Sequence, residues 1–446
     1  MRRTGYDAGV DPVALPFSRH QLSNGLDVIV HEDRHVPIVA VNVWYHVGSK
    51  NERPGQTGFA HLFEHLMFEG SAHYDSGYFP PLQRAGAVLN GSTNTDRTNY
   101  WEVVPTSAID LALWLESDRM GYLLPALTEQ RFQTQRDVVL NERRQNYENR
   151  PYGLAVTAIM AALYPADHPY HWMTIGDADD LRAMRLSDVQ AFFRTYYHPA
   201  NASLALAGDI DTARAFELAD RYFGELPSGT PPAPVRAAAS LGREVRLVLE
   251  DRVELPRIYM AWHSPAMFAE GDAEMDLLGD LLANGKTSRL YRTLVYERRV
   301  ALDVAAYQNS REIAGSFLLV TTAAPGQQLA DLAALVDDAL REVTSGGPSD
   351  AEMERARAQT EAQFLYRLQT VGGFGGKSDQ LNAYNVFRGD PGFFAADLAR
   401  YRAATREAVR DTARRVLASD RRVVLSAVPR GQSALALPGS EPVSVS

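Results

Sequence analysis

The sequence predicts an α+β fold built from two homologous domains, each a mostly antiparallel sheet packed with helices, related by internal duplication. Three observations lead there. The chain has 446 residues, more than the roughly 250–300 over which one hydrophobic core keeps growing. Pro227, Gly229, Pro231, Pro232 and Pro234 crowd one short stretch near the middle, the composition of an extended linker. On either side of it the pattern is the same: strands first, helices in the middle, a helix followed by a strand at the end. The expected division is a domain over 1–226, a linker over 227–244 and a homologous domain over 245–446.

Element by element, Leu26–Val30 and Ile38–Trp44 join β-branched and apolar residues between turn signals and are expected strands. Gly58–Glu69 is expected to be helical, Thr98–Val104 returns to strand, and Leu111–Tyr122 and Glu129–Glu148 read as helices. Ser187, with Gln190 as its capping-box partner, is expected to open a helix before the strand Ser203–Ala207. The second half repeats the order. Leu249–Pro256 leads to a strand ending near Trp262, as His31–Pro37 leads to one ending near Trp44. Asp272–Asn284, Leu329–Thr344 and Asp350–Leu368 are expected helices, and Thr405 opens a helix before the strand Val423–Val428. The tail from Gln432 to Ser446, rich in Ser, Pro and Gly, is expected to fray.

Composition narrows the function. With 45% hydrophobic and 22% charged residues the chain is an ordinary globular protein. A net charge of −10 argues against a dedicated nucleic-acid binder, whose phosphate contacts need a basic face. No apolar run approaches the ~18 residues of a membrane span. There is no cysteine, so a metal must rest on His, Asp or Glu. The opening Met1–Asp7 lacks the apolar stretch of a secretory leader.

The strongest chemical signal is His61-Leu62-Phe63-Glu64-His65. On a helix the two histidines share one face, and Glu64 lies beside them. Hydrolytic zinc needs three protein ligands, an open position for water and a base to take the proton; two His and a Glu supply most of that set. The order H-x-x-E-H reverses the commoner H-E-x-x-H.

Gly58–Ser71 resembles the zinc segment of the pitrilysin and mitochondrial-processing-peptidase family, the inverzincin peptidases. Asn90–Tyr100 resembles that family's substrate-binding edge strand, and Val138–Glu142 the helix that carries its third zinc ligand. Thr174–Gly176, Ser187–Tyr197, Asn201–Asp209, Ser288–Leu290 and Gly372–Asp390 extend the resemblance over nearly the whole chain. It implies one Zn2+ per chain on His61, His65 and Glu142, with Glu64 as general base for the attacking water. Taken alone, Glu142 is an ordinary helix carboxylate. Family members often carry a Glu seven residues before the third ligand; Gln135 stands there, and its amide is expected to support the site by hydrogen bonding. The resemblance also implies that peptide substrates add as a β-strand along Asn90, Gly91, Ser92 and Thr93, although Asn-Gly is equally a strong hairpin-turn signal.

One departure bears on partners. The family's second domain usually supplies an Arg and, seven residues on, a Tyr that hold the substrate. Alignment from Ser288-Arg289-Leu290 puts Val295 and Leu302 there. Asp276, Gly279 and Asp280 fall where the zinc motif would recur, so the second half is expected to be a non-catalytic copy. Resemblance to split bacterial members implies a heterodimer with a sister chain that provides the Arg and Tyr, a homodimer being the alternative. It also implies a periplasmic location with the leader removed, the cytoplasm being the alternative. The expected activity is zinc endopeptidase action on unfolded or extended peptides within an enclosed cavity; the rival is a non-hydrolytic assembly subunit of the same family. Gly372–Ser378 lacks the first glycine of a phosphate loop, because Val371 stands there, and is expected to be a plain loop.

Overall fold

The computed structural model describes residues 14–445, so Met1–Asp7 and Ser446 lie outside the described residues. In the first half, β1 (Ser18–Gln21), β2 (Asp27–Glu32), β3 (Ile38–Tyr45), β4 (Val88–Thr93), β5 (Thr98–Pro105) and β6 (Ala202–Gly208) form a six-stranded sheet ordered β1-β2-β6-β3-β5-β4. In the second, β7 (Val245–Asp251), β8 (Arg257–Ser264), β9 (Ala301–Asn309), β10 (Gly315–Ala323), β11 (Val423–Pro429) and β12 (Glu441–Pro442) form another, ordered β12-β7-β11-β8-β10-β9. Apart from the outer strands β1 and β12 the arrangements coincide. The pairs β2–β6 and β7–β11 are parallel, and the rest of each shared core is antiparallel. The duplication expected from the sequence is therefore present in the topology.

The helices of the first half are α1 (Phe59–Leu66), α2 (Phe79–Arg84), α3 (Ile109–Ala126), α4 (Glu129–Arg143), α5 (Ala155–Leu163), α6 (Ala178–Ala183), α7 (Leu186–Tyr196) and α8 (Thr212–Phe223). Those of the second are α9 (Asp272–Ala283), α10 (Leu329–Gly346), α11 (Asp350–Arg367), α12 (Lys377–Arg388), α13 (Phe394–Ala403) and α14 (Arg406–Val416). Val28, Val30, Val39, Val41, Val43, Leu204 and Leu206 face the helices of their own half and build its core. Both faces of the sheet are covered, which is why its central strands read as nearly unbroken apolar runs.

The second cover of each sheet comes from the other half. Helix α5 leaves the first half and packs Ala158, Ile159 and Leu163 against Leu249, Tyr259, Leu425 and Ala427 of the second sheet. Helix α12 leaves the second half and lies on β3 and β6, with Leu381 against Ile29 and Ala205. This second junction is largely polar. Asp379 Oδ1 accepts from Trp44 Nε1 at 2.9 Å, Asn99 Nδ2 at 3.0 Å and Asn42 Nδ2 at 3.4 Å, while Oδ2 accepts from Gly375 N at 2.7 Å. Asn382 donates to the Asn42 carbonyl at 2.8 Å, and Ser203 Oγ donates to Asn382 Oδ1 at 2.8 Å. A further bond between halves is made at 311–313. There Glu312 N donates to Asp96 at 3.0 Å, Ile313 N donates to the Tyr170 hydroxyl at 2.9 Å, and buried Lys50 pairs with Glu312.

Three expectations are corrected. Helix α7 starts at Leu186, before Ser187, because the Asp188 carboxylate accepts from Arg185 N at 3.3 Å and so supplies the N-terminal partner. The tail does not fray up to residue 445. It folds back, buries Leu437 in the second core and adds β12 in parallel to β7, whose outer edge would otherwise be unpaired. The helix expected over Glu129–Glu148 ends as a regular α-helix at Arg143 and continues as a wider π-type turn over Arg144–Glu148.

Candidate metal centre

Helix α1 is built to hold one face fixed. Its N-cap, Gly58, has φ +90°, and a Cβ there would meet Leu181 Cδ2 at 2.8 Å, so glycine is required. Two of the free N–H groups at the helix start are met by the buried Glu52 carboxyl group, which accepts from Gly58 N at 3.0 Å and Ala60 N at 2.8 Å. Leu62, Phe63 and Leu66 are buried in the first core, with Phe63 against Phe192, Phe193 and Tyr197. This anchoring turns His61, Glu64 and His65 to the half-exposed side.

Helix α4 packs beside α1 and brings Glu142 to the same spot. Glu142 Oε2 lies 3.4 Å from His65 Nε2 and 3.7 Å from His61 Nε2, and one ligand atom from each of the three falls within 4.8 Å of the others. The two imidazoles stand edge to face, 4.9 Å between centroids. Burial, helped by the neighbouring His65, lowers the His61 pKa, which favours the neutral ring with a lone pair free for a metal. For His65, burial acts downward, but the Glu142 hydrogen bond and the charges of Glu64 and Glu142 outweigh it and raise the pKa. The His65 hydrogen bond is the main cause that lowers Glu142. Burial raises Glu64, giving it a stronger hold on a proton than a surface carboxylate has.

Two imidazoles and a carboxylate converging on one point fit zinc, and such a set leaves a fourth position open. Among the described residues these three form the one such cluster of His, Asp and Glu, and His61 Nδ1 is buried with no hydrogen-bond partner. Gln135 donates to Glu69 and has its amide next to His65. Asn146 Nδ2 lies 3.5 Å from Glu142 Oε1.

The Asn90–Thr93 stretch lies inside β4, at the edge of the first sheet, and packs against α1. The reversal comes later: Asn94 N donates to the Arg97 carbonyl at 3.0 Å, and Asn94 Oδ1 accepts from Asp96 N at 2.8 Å. Asn90-Gly91 is thus mid-strand and not a turn. A Cβ on Gly91 would come 3.0 Å from the Phe68 and Tyr100 rings, so a larger residue there needs those rings to give by a few tenths of an ångström. Thr93 lies beside Glu64 without meeting hydrogen-bond geometry. Val295 is half-buried against the second core and Leu302 is exposed on β9, so neither position offers a polar group.

Two residues at the site escaped the sequence reading. Glu52 caps the histidine helix, yet nothing in its surroundings in sequence marks it. Arg97 donates to the Ser92 carbonyl at 2.7 Å and adds positive charge near Glu64; within the sequence it reads only as a polar turn residue.

Residues 27–170 match the family model described as Insulinase (Peptidase family M16), and residues 183–360 match the Peptidase M16 inactive domain. The chain belongs to peptidase family M16. The zinc protease PqqE of Helicobacter pylori is 30% identical to this M16 chain over 355 residues, 78% of this chain and 79% of that protein. The crystal structure of a protease from Helicobacter pylori superposes with a TM-score of 0.85 at 26% identity, covering 93% of this chain and 100% of that one. The periplasmic protease PqqL from Escherichia coli shares the fold with a TM-score of 0.78 at 18% identity, over 96% of this chain and 50% of that one. In M16 terms, the inactive-domain match falls mostly on the half without the His-Glu cluster.

Proposed function

We propose that this chain is a zinc-dependent endopeptidase for unfolded or extended peptides, with zinc held by His61, His65 and Glu142. The observation that carries the reading is the convergence of those three ligand atoms within 4.8 Å beside Glu64. When bound, zinc supplies Lewis-acid polarisation of the scissile carbonyl and makes water more acidic. The remaining work falls to the chain. The Glu64 carboxylate accepts the proton of the attacking water and returns it to the leaving amine nitrogen, a shuttle suited to a carboxyl group whose pKa is raised by burial. The free edge of β4 pairs with the peptide backbone and presents the bond to be cut, giving affinity with little dependence on side chains. The second half acts as wall and support.

Val295 and Leu302 leave those two positions without donors for charge developing on the substrate oxygen. A sister chain carrying an Arg and a Tyr is the proposed source, the alternative being a homodimer that works without them; the periplasm is the proposed compartment. The complete ligand set argues against a purely structural subunit.

The test is mass-spectrometric detection of products from a mixture of unstructured peptides, with zinc-loaded wild type and Glu64→Gln in parallel. Cleavage by the wild type alone is the expected outcome, strengthened by the sister chain if the Arg and Tyr are needed. Equal, metal-insensitive products from both proteins would end the proposal.

A further inference from the structure

A second feature of the β4 edge is unaccounted for by the metal centre. Strand β4 is terminal in its sheet, and among the described residues its outer edge pairs with no strand. Its side chains alternate between two faces. Gly91 and Thr93 face α1 and the metal centre, since a Cβ built on Gly91 would point at the Phe68 ring and Thr93 lies beside Glu64. Val88, Asn90 and Ser92 take the other face, in register with Val103, Trp101 and Asn99 of β5. At the Val88 end of that face is a cavity of about 550 Å³, lined by Val36, Ile38, Val88, Trp101, Val103 and the Gln369–Gly373 segment.

The cavity has a built floor. The 369–373 loop comes from the second half and is pressed onto the first sheet: a Cβ on Gly372 would sit 2.6 Å from both Ala40 Cβ and Val103 Cγ2. Asp379 fixes the end of the loop by accepting from Gly375 N, and Phe374 stands edge-on to Trp101 at 5.4 Å between centroids. Around the mouth, Val88 is 65% exposed, Val36 53% and Phe374 51%, an unusual group of uncovered apolar side chains. Trp101 is only 8% exposed, and its indole N–H makes no hydrogen bond among the described residues, so this wall is incompletely satisfied as it stands. The rim charge is already spoken for, because Asp33 pairs with Lys377 and His35.

We infer that this cavity is a specificity pocket for one apolar side chain, aromatic or branched, of the peptide paired on β4. The inference rests on the proposed strand addition and deepens it. Residues directly opposite in paired strands share a face, so the peptide residue opposite Val88 points to the cavity side, as does the one opposite Asn90. Thr93 lies five residues from Val88, about 16 Å along a strand at ~3.3 Å per residue. The pocket therefore reads a side chain about five residues from the one that faces Glu64, far from the bond cut. In an antiparallel pairing that residue lies on the C-terminal side. Extended peptides of many sequences would be accepted, but ranked by a single distant apolar residue.

The experiment is binding of fluorescent peptides to the full chain carrying Glu64→Gln, so that no turnover intervenes. The probes are unstructured Gly/Ser/Ala peptides with one Phe moved stepwise along them. One Phe position is expected to bind about tenfold or more tighter than the Phe-free peptide, the gain for burying one apolar side chain. Val88→Glu, a change at an exposed position, should erase that gain, so that within this variant no Phe position binds tighter than the Phe-free peptide; Phe374→Ser should reduce it. Equal affinity at every Phe position, a preference that survives Val88→Glu, or no binding of any peptide would overturn the pocket. Wild-type cleavage of the same peptides is read separately. Binding with the expected preference but no cleavage counts against hydrolysis and leaves the pocket standing, whereas cleavage without preference does the reverse.

Discussion

Removing the Asp379 carboxylate should loosen the second half from the first sheet. Asp379 sits in the first turn of α12, where a negative charge is favoured by the helix dipole. It is buried, and its two oxygens accept from Trp44, Asn99, Asn42 and Gly375. A hydrogen bond to a charged group contributes about 1.5–3 kcal/mol, and a buried donor left without a partner costs about 1–3 kcal/mol. These contributions are not additive within one network. For Asp379→Ala, which orphans the Trp44 and Asn99 donors together, the expected loss is about 4 kcal/mol, at the high end for single substitutions. Asp379→Asn keeps one oxygen for Trp44 and Asn99 but turns an NH2 group toward the Gly375 N–H, so about half that loss is expected. Urea unfolding followed by tryptophan fluorescence measures both, and Trp44 is itself one of the donors. Leu381→Ala, on the same helix, is the apolar comparison. An Asp379→Ala chain within about 0.5 kcal/mol of wild type would refute the view that this carboxylate clamps α12.

Burial pushes Glu52 from 4.5 up to about 8, so the folded chain holds a proton that the unfolded chain has already released. Its contribution to stability is full below about 4.5 and is lost as pH rises through about 8. Glu52→Gln should flatten this part of a melting temperature against pH curve, and an unchanged slope would count against it. Zinc at about a hundred times its Kd should stabilise the wild type by about 2.7 kcal/mol; calorimetry of Glu142→Ala and His65→Ala should show most of that shift gone. Lys50→Met leaves buried Asp96 and half-buried Glu312 without their cation, and a loss of about 3–5 kcal/mol is expected. Adding Glu312→Gln should recover part of it, and simple additivity of the two changes in a denaturation cycle would refute the pairing.

Much of the fold is legible in the sequence because the central strands and most helices are written locally, as short apolar runs or as a 3.6-residue period. What could not be read is which surface a given helix covers. The apolar face of α5 satisfies any apolar sheet, and only the assembled chain shows that it lies on the second one. The tail strand escaped for a similar reason: Glu441-Pro442 has no strand character of its own and is recruited by the open edge of β7. At the site, His61, Glu64 and His65 announce themselves by spacing on one helix. Glu142 does not, since its approach depends on how α4 packs against α1, and resemblance alone pointed to it. Glu52 and Arg97 act through folded proximity to residues outside their own segments, which no local pattern records.

The reciprocal placement of α5 and α12 bears on how this molecule can be divided. Severing the chain between residues 227 and 244 separates the covalent halves, but not the packed units, because each piece still grips the other's sheet. Either piece made by itself would leave the bare side of its sheet to water: Ile29 and Ala205 on one, Leu249, Tyr259, Leu425 and Ala427 on the other. Neither gene half can then be exchanged for a foreign one unless the borrowed helix fits the receiving sheet. The geometry is that of two copies with swapped arms joined end to end, and the arms now set the terms on which the two halves have been free to diverge.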